Sequence, residues 1–345
     1  MPPSDNNQMF AGDRIYFGLF KPKQSGRWQG NLKAFKLDDA GEILDANDQP
    51  ALNANGTFKA TAQSLWSTSP DGYNVDQGGA GGKLVTNDSR NLYTFITGNS
   101  TNLTHADNRF SVDNPLITEG LLDVSAALRD GIITSVRAED QDWPLGDIVH
   151  SGPAVQKIPF DSNADGTDDG SKSYIYVGAN DGMLHAFDGD TGEELWAFIP
   201  PDQLSRLKKL LDDGHDYFVD GSVSVIERED STLLFFGERR GGPYYHALDI
   251  TNPLQPVYKY AINEAHLDQL DWDDDGEMEI DAIGATLGQS WSRPHEIKLK
   301  IGEESHDLLL LTGGYDAENQ DNTESPPRRI RPVAPFSPST PTPAK

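Results

Sequence analysis

Hydrophobic and polar positions alternate in short bursts, each closed by turn residues, along most of the chain. The clearest burst is 174–200, YIYVGANDGMLHAFDGDTGEELWAFIP. Tyr174 to Val177 are β-branched and aromatic residues that suit a strand. Gly178 to Gly182 form a polar turn, and Met183 to Phe187 predict a second strand. Asp188-Gly189-Asp190-Thr191-Gly192 predicts a hairpin turn, because its glycines accept positive φ. Glu194 to Ile199 return as a third strand, with Trp196 placed to wedge between neighbouring units. The ending Phe187, Asp188, Thr191, Gly192 and Trp196, after a Gly-Ala-Asn-Asp-Gly turn, reads as one blade of a β-propeller. Such a blade is first of all a structural repeat, since it recurs on folds with many functions.

Weaker copies surround it. Arg14 to Phe20 is strand-like, and Gly26 to Leu37 is an aromatic-rich turn feeding an alternating strand that Ile43-Leu44 can pair against. Residues 46–75 carry polar turns with Phe58 and Ser64-Leu65-Trp66-Ser67, Gly78 to Gly82 reads as a flexible turn, and Arg90 to Ile96 as a strand. That glycine run lacks the phosphate-cradle spacing, since Lys83 is followed by Leu84. Residues 99–145 are polar, with one predicted helix around Glu119 to Asp130, and read as an insertion or connector. Asn99-Ser100-Thr101 and Asn102-Leu103-Thr104 match a glycosylation sequon that often arises by chance.

After the central blade, Pro201 to Asp212 is helix-like and Tyr217 to Ser222 opens another strand set. Leu233 to Gly237 and Tyr244 to Ile250 repeat the scheme of strand, glycine turn and strand ending in Asp. Leu308 to Leu311, followed by Gly313-Gly314-Tyr315-Asp316, starts a further unit. The expected fold is all-β, an incomplete propeller with a few helical insertions. Its expected divisions are a polar lead-in over 1–13, the propeller over 14–322 and a Pro-rich disordered tail over 323–345. A ring needs its last blade to close, and the pattern stops partway through one, so the chain is expected to be a fragment.

Composition narrows the partners. The net charge is −27, from 55 acidic against 28 basic residues, which excludes the basic surface that nucleic acid requires. There are no cysteines, so disulfides, thiolate metal sites and cysteine nucleophiles are excluded. No run reaches the 18 or so apolar residues of a membrane span. MPPSDNNQMFAGDR has neither a basic nor an apolar leader region, so no signal peptide is expected.

Two acidic loops carry the candidate chemistry. Asp161, Asn163, Asp165, Thr167 and Asp169 offer oxygens around Gly166, and Asp271, Asp273, Asp275, Glu277 and Glu279 do so around Gly276. Hard oxygen donors at this spacing wrap a Ca²⁺ ion, the glycine allows the sharp turn, and the backbone carbonyl at position 7 adds a ligand. Position 12 is Lys172 or Ala282, so neither loop has the bidentate glutamate of an EF-hand. The bland alternative is a solvated acidic turn. Catalytic signatures are lacking: no H-E-x-x-H or H-x-x-x-H pairing occurs, and His150-Ser151-Gly152 is no nucleophile elbow. His185 and His246 stand at equivalent places in two repeats, where a packing role is expected rather than a ligand role.

The central blade resembles the pyrroloquinoline-quinone-type repeat, and the wider series resembles a narrower family, the C-terminal propeller of the PilY/PilC type IV pilus biogenesis and tip-adhesin proteins. The residues that carry this resemblance are Tyr16-Phe17-Gly18-Leu19-Phe20-Lys21-Pro22, Trp28-Gln29-Gly30-Asn31-Leu32-Lys33 and Gly146-Asp147-Ile148-Val149-His150-Ser151-Gly152-Pro153. Val177 to Phe187, Tyr217 to Ser222, Leu287 to Ser292 and Gly313 to Asp316 complete it. The resemblance implies a modified seven-bladed propeller, exported and associated with the outer membrane and the pilus tip. There it would support pilus assembly with minor pilins and attach to host or other surface receptors, without enzymatic activity. It also implies that the family's regulatory calcium loop lies further along the propeller, so both loops here rest on spacing alone. The alternative is a quinoprotein dehydrogenase, but such enzymes carry the repeat in every blade and here only 174–200 matches well. A further alternative is an outer-membrane assembly scaffold built on the same repeat, which the segments outside the repeat disfavour.

Overall fold

The computed structural model describes residues 8–24, 26–87, 89–137, 142–160, 170–212, 214–263, 287–301 and 304–316. Its strands form sheets in which sequence neighbours pair antiparallel, the meander of propeller blades. The first sheet is β1 (Gln8–Ala11), β2 (Arg14–Lys21), β3 (Gln29–Leu37) and β4 (Ile43–Leu44). The central blade is β6 (Ala154–Phe160), β7 (Gly170–Gly178), β8 (Leu184–Asp188) and β9 (Glu194–Ile199). It gains a fifth, parallel strand, β5 (Leu92–Thr94), at its β9 edge. The next blade is β10 (Val223–Glu227), β11 (Thr232–Gly237), β12 (Tyr245–Asp249) and β13 (Val257–Ile262), and a hairpin of β14 (His295–Ile301) and β15 (Glu304–Leu310) follows.

The side-chain period of two explains how the central blade binds both neighbours. On β7, Tyr174 and Tyr176 pack with Leu234, Phe236 and Leu248 of the following blade. The intervening Ile175 and Val177 pack with Tyr16, Leu32 and Ala34 of the first sheet. Both faces are therefore covered, which is why these strands read as apolar runs rather than as apolar-polar alternation. Trp196 fulfils the expected wedge role: it is buried in the first of these clusters, and its indole Nε1 donates to the Pro253 carbonyl at 2.7 Å. The loop Asp188 to Gly192 closes as foreseen, with the Asp188 carboxylate accepting from the amides of Asp190 and Thr191.

Three local readings change. Gly78 to Gly82 is no flexible turn, because Gly79–Val85 forms helix α1. Its glycines serve close packing: a Cβ on Gly81 would meet the Trp143 ring, and one on Gly79 would meet Asn31 and Lys33. The single helix expected near Glu119 to Asp130 is two, α2 (Glu119–Leu122) and α3 (Ala126–Val136), separated at Asp123, whose φ is 50°. Strand structure also begins within the expected lead-in, since β1 pairs with β2. The segment read as a connector covers the central blade: Phe110, Ile117, Leu122, Ile132 and Ile133 share a core with Ala197 and Ile199 of β9. Leu204 and Leu207, from the 3₁₀ helix Pro201–Leu211, complete that core.

Candidate functional site

The ten residues proposed for calcium, Asp161, Asn163, Asp165, Thr167, Asp169, Asp271, Asp273, Asp275, Glu277 and Glu279, all lie outside the described residues. The first loop's flanks are described: Phe160 and Gly170 face each other as the outermost pair of the β6–β7 hairpin.

Four of the motif segments, 28–33, 146–153, 177–187 and 217–222, meet along one seam between blades. Gly30 of β3 donates its amide to the Leu145 carbonyl at 3.0 Å, and Gln29 bridges Gly146. A Cβ on Gly30 would overlap the Gly146 carbonyl, so only glycine permits this crossing. Next along the seam, Gly146 donates its amide to Asp181 Oδ2 at 2.9 Å. Asp147 Oδ2 accepts from Asn180 Nδ2 at 2.7 Å, and it lies 3.0 Å from His215 Nε2. Burial pushes the Asp147 carboxyl above its ordinary range, and those two partners work against the rise. Asn180 in turn accepts the Phe218 amide, Ser151 Oγ accepts the Gly178 amide, and His150 Nδ1 sits 2.7 Å from Asp220 Oδ2. His215 stacks on Trp28 with centroids 3.9 Å apart. The neighbouring Asn31 and Lys33 anchor the chain's return: Asn31 Nδ2 donates to the Val75 and Gly78 carbonyls, and buried Lys33 pairs with Asp71 Oδ2 at 2.9 Å.

Two buried histidine–carboxylate clusters stand deeper, and they give His185 and His246 more than the packing role expected for them. His185 and His246 are each the second residue of their strands, β8 and β12, and each faces an alanine of the last strand of its blade. Around His185, Nδ1 is 2.8 Å from Glu194 Oε1 and Nε2 is 3.1 Å from Asp181 Oδ1. Arg90 closes the set from the residues just before β5, with Nε and Nη2 on the two Glu194 oxygens at 2.8 and 2.7 Å. Burial opposes ionisation of Glu194, but Arg90 and then His185 outweigh it and hold the carboxyl at about 2. Asp181 is held at about 2 by His185 against the same burial penalty. Burial pushes His185 down, yet Asp181 and Glu194 raise it to about 9. Two positive and two negative groups therefore balance.

Around His246, Nε2 is 3.2 Å from both Asp202 Oδ1 and Glu238 Oε1. Asp202 comes from the 3₁₀ helix, and its Oδ2 accepts from Gln203 Nε2 at 2.8 Å. Glu238 follows β11 directly. Burial and then the Asp202 charge push the Glu238 carboxyl up to about 8. His246 is pushed down by burial but raised to about 9 by Asp202 and Glu238. Glu238 Oε2 and His246 Nδ1 have no hydrogen-bond partner, and Asp202 Oδ1 has none beyond its ion pair with His246. Sequence reading saw the two histidines but not their partners. A charged Arg90 or Glu194 beside apolar strand text was the available signal.

The family model of the PilY1 beta-propeller domain matches residues 146–325. The type IV pilus biogenesis factor PilY1 of Pseudomonas aeruginosa strain PAK is 30% identical over 320 residues, covering 83% of this chain and 25% of that protein. A type IV pilus biogenesis factor PilY1 homolog of Xylella fastidiosa is 28% identical over 254 residues, covering 66% of this chain and 18% of that protein. The chain thus spans a quarter or less of the length of these relatives. The crystal structure of the P. aeruginosa PilY1 C-terminal domain aligns with 40% of this chain and 24% of that one, at 27% identity and a TM-score of 0.26. With more than half of its residues matched, the chain belongs to the PilY1 β-propeller family.

Proposed function

We propose that this chain is a non-enzymatic, calcium-binding scaffold and adhesin of type IV pilus biogenesis, with residues 14–322 as its propeller. The observation that carries the reading is the family match over 146–325, whose first residues, Gly146 and Asp147, form the interblade seam. The relatives' names as pilus biogenesis factors support a role with the pilus machinery, with minor pilins and surface receptors as partners. Location on the extracellular pilus or at the outer membrane follows from the same role. No helix among the described residues is long and apolar enough to cross a membrane.

Two features favour a scaffold over an enzyme. The His185 cluster is buried, and its charged groups are spent on one another. The seam's polar groups are likewise spent on holding backbone amides. Calcium at the two acidic loops follows from their ligand spacing. Deleting the gene in its source bacterium, with complementation by the intact gene, tests the role. The expected result is fewer surface pili and weaker surface attachment, both restored by complementation. Unchanged piliation and attachment would overturn the reading.

A further inference from the structure

We propose that Asp202, Glu238 and His246 form a binding site for a divalent transition-metal ion, with zinc the best-fitting ion, separate from the acidic loops.

The first argument is donor chemistry and spacing. The cluster offers one imidazole nitrogen and two carboxylates, all within 4.8 Å of one another. Imidazole with carboxylate suits zinc and its neighbours, whereas calcium takes oxygen donors. Zinc bonds of roughly 2.0 Å in a tetrahedron place donor atoms about 3.3 Å apart. His246 Nε2 stands 3.2 Å from Asp202 Oδ1 and 3.2 Å from Glu238 Oε1.

The second argument is what is missing beside the sister cluster. At His185 the two carboxylates are matched by the imidazole and by Arg90, and both imidazole nitrogens are engaged. At His246 no arginine or lysine among the described residues pairs with Asp202 or Glu238. Glu238 is fully buried, and its Oε2 has no partner. Asp202 Oδ1 makes no hydrogen bond beyond its 3.2 Å ion pair with His246 Nε2. A cation between these oxygens supplies what Arg90 supplies in the preceding blade.

The third argument is the setting. Phe236 and Tyr244 stack on the His246 ring and fix its plane, at centroid distances of 5.1 and 5.9 Å. Gln203 holds the second Asp202 oxygen. Gly242 leaves the space that Glu238 Oε2 occupies, since a Cβ there would overlap that oxygen. The Asp202 side chain is 17% exposed, so the cluster lies close to the surface on its Asp202 side. The ion would tie the 3₁₀ helix that leaves the central blade to strands β11 and β12 of the next one.

The test uses the full chain, purified in chelator, desalted and titrated with zinc against a chromogenic competitor. Elemental analysis and X-ray absorption follow on the loaded protein. The proposal expects one zinc per chain beyond any weak surface binding, nitrogen and oxygen donors only, and a raised melting temperature. Glu238→Gln, His246→Gln and the partly exposed Asp202→Asn should each lose that zinc, while Asp165→Ala and Asp275→Ala keep it. Melting of the metal-free variants shows whether they fold, and absorption data on the parent alone test the donor set if one does not. A folded parent that takes up no stoichiometric zinc overturns the proposal, and so does zinc uptake that the three substitutions leave unchanged. Preference of the site for calcium over zinc also overturns it. Where the folded parent takes up no metal, the three groups are an ion pair sharing a proton.

Discussion

Replacing Arg90 with methionine should unsettle the central blade more than any surface change. The guanidinium is 3% exposed and makes two parallel bonds to Glu194, which is 0% exposed. Its removal leaves Glu194 charged, buried and paired with His185 alone. Breaking a buried ion pair by deleting one partner costs about 3–5 kcal/mol, because the remaining charge has lost both its water and its partner. Glu194→Gln in the Arg90→Met background removes that stranded charge and should restore about 1–3 kcal/mol. The assay is urea unfolding of the four proteins of the double-mutant cycle, followed by both tryptophan fluorescence and far-UV circular dichroism. Coincident transitions license the free-energy comparison. Loss of less than about 0.5 kcal/mol in Arg90→Met, the range of an ordinary surface change, would refute the reasoning. So would a double variant no more stable than the sum of its single effects.

The remaining predictions use the same equilibrium. Asp181 and Glu194, held at about 2 against ordinary values of 3.8 and 4.5, contribute stability above those ordinary values that is lost as pH falls toward 2. His185 and His246, at about 9 against 6.5, contribute fully below 6.5 and lose that contribution as pH rises to 9. Glu238, raised from 4.5 to about 8, loses stability over that interval in the same direction. The urea midpoint should therefore peak near the lower end of the range between 4.5 and 6.5, and a midpoint that climbs from pH 6 to 9 contradicts this. Gly30→Ala would drive a methyl group into the Gly146 backbone, with its Cβ 2.7 Å from the carbonyl carbon, and should cost about 1–3 kcal/mol or more in chemical denaturation. Trp196→Ala should cost about 3–5 kcal/mol. Trp196→Phe should cost less, through the lost indole bond to Pro253 and a smaller ring.

The blades were legible because their information is local. The apolar run Glu194 to Ile199 coincides with β9, and the Asp188 to Gly192 turn carries its own carboxylate hydrogen bonds. The α1 helix was not legible, since glycine is a poor helix former and the Gly79–Val85 turn is imposed from outside. Ser67 Oγ accepts the Gly79 amide and Asn31 Oδ1 accepts the Gly81 amide, contacts that reach across 12 and 50 residues. The helix break at Asp123 was hidden for a related reason, as nothing in its neighbours forces a positive φ. The clusters were hardest to foresee. Arg90 meets Glu194 across 104 residues, and that meeting depends on the parallel pairing of β5 with β9. Asp202 and Glu238 meet His246 because a 3₁₀ helix crosses between two blades.

Calcium is the point at which the functional account is most exposed. Calorimetric titration of the full chain with Ca²⁺, beside Asp165→Ala and Asp275→Ala, tests it directly. The account predicts saturable binding in the parent, one site removed by each substitution, and unchanged folding of the variants by circular dichroism. A folded parent that releases no heat of binding and gains no thermal stability with calcium would contradict it, leaving both acidic loops as solvated turns.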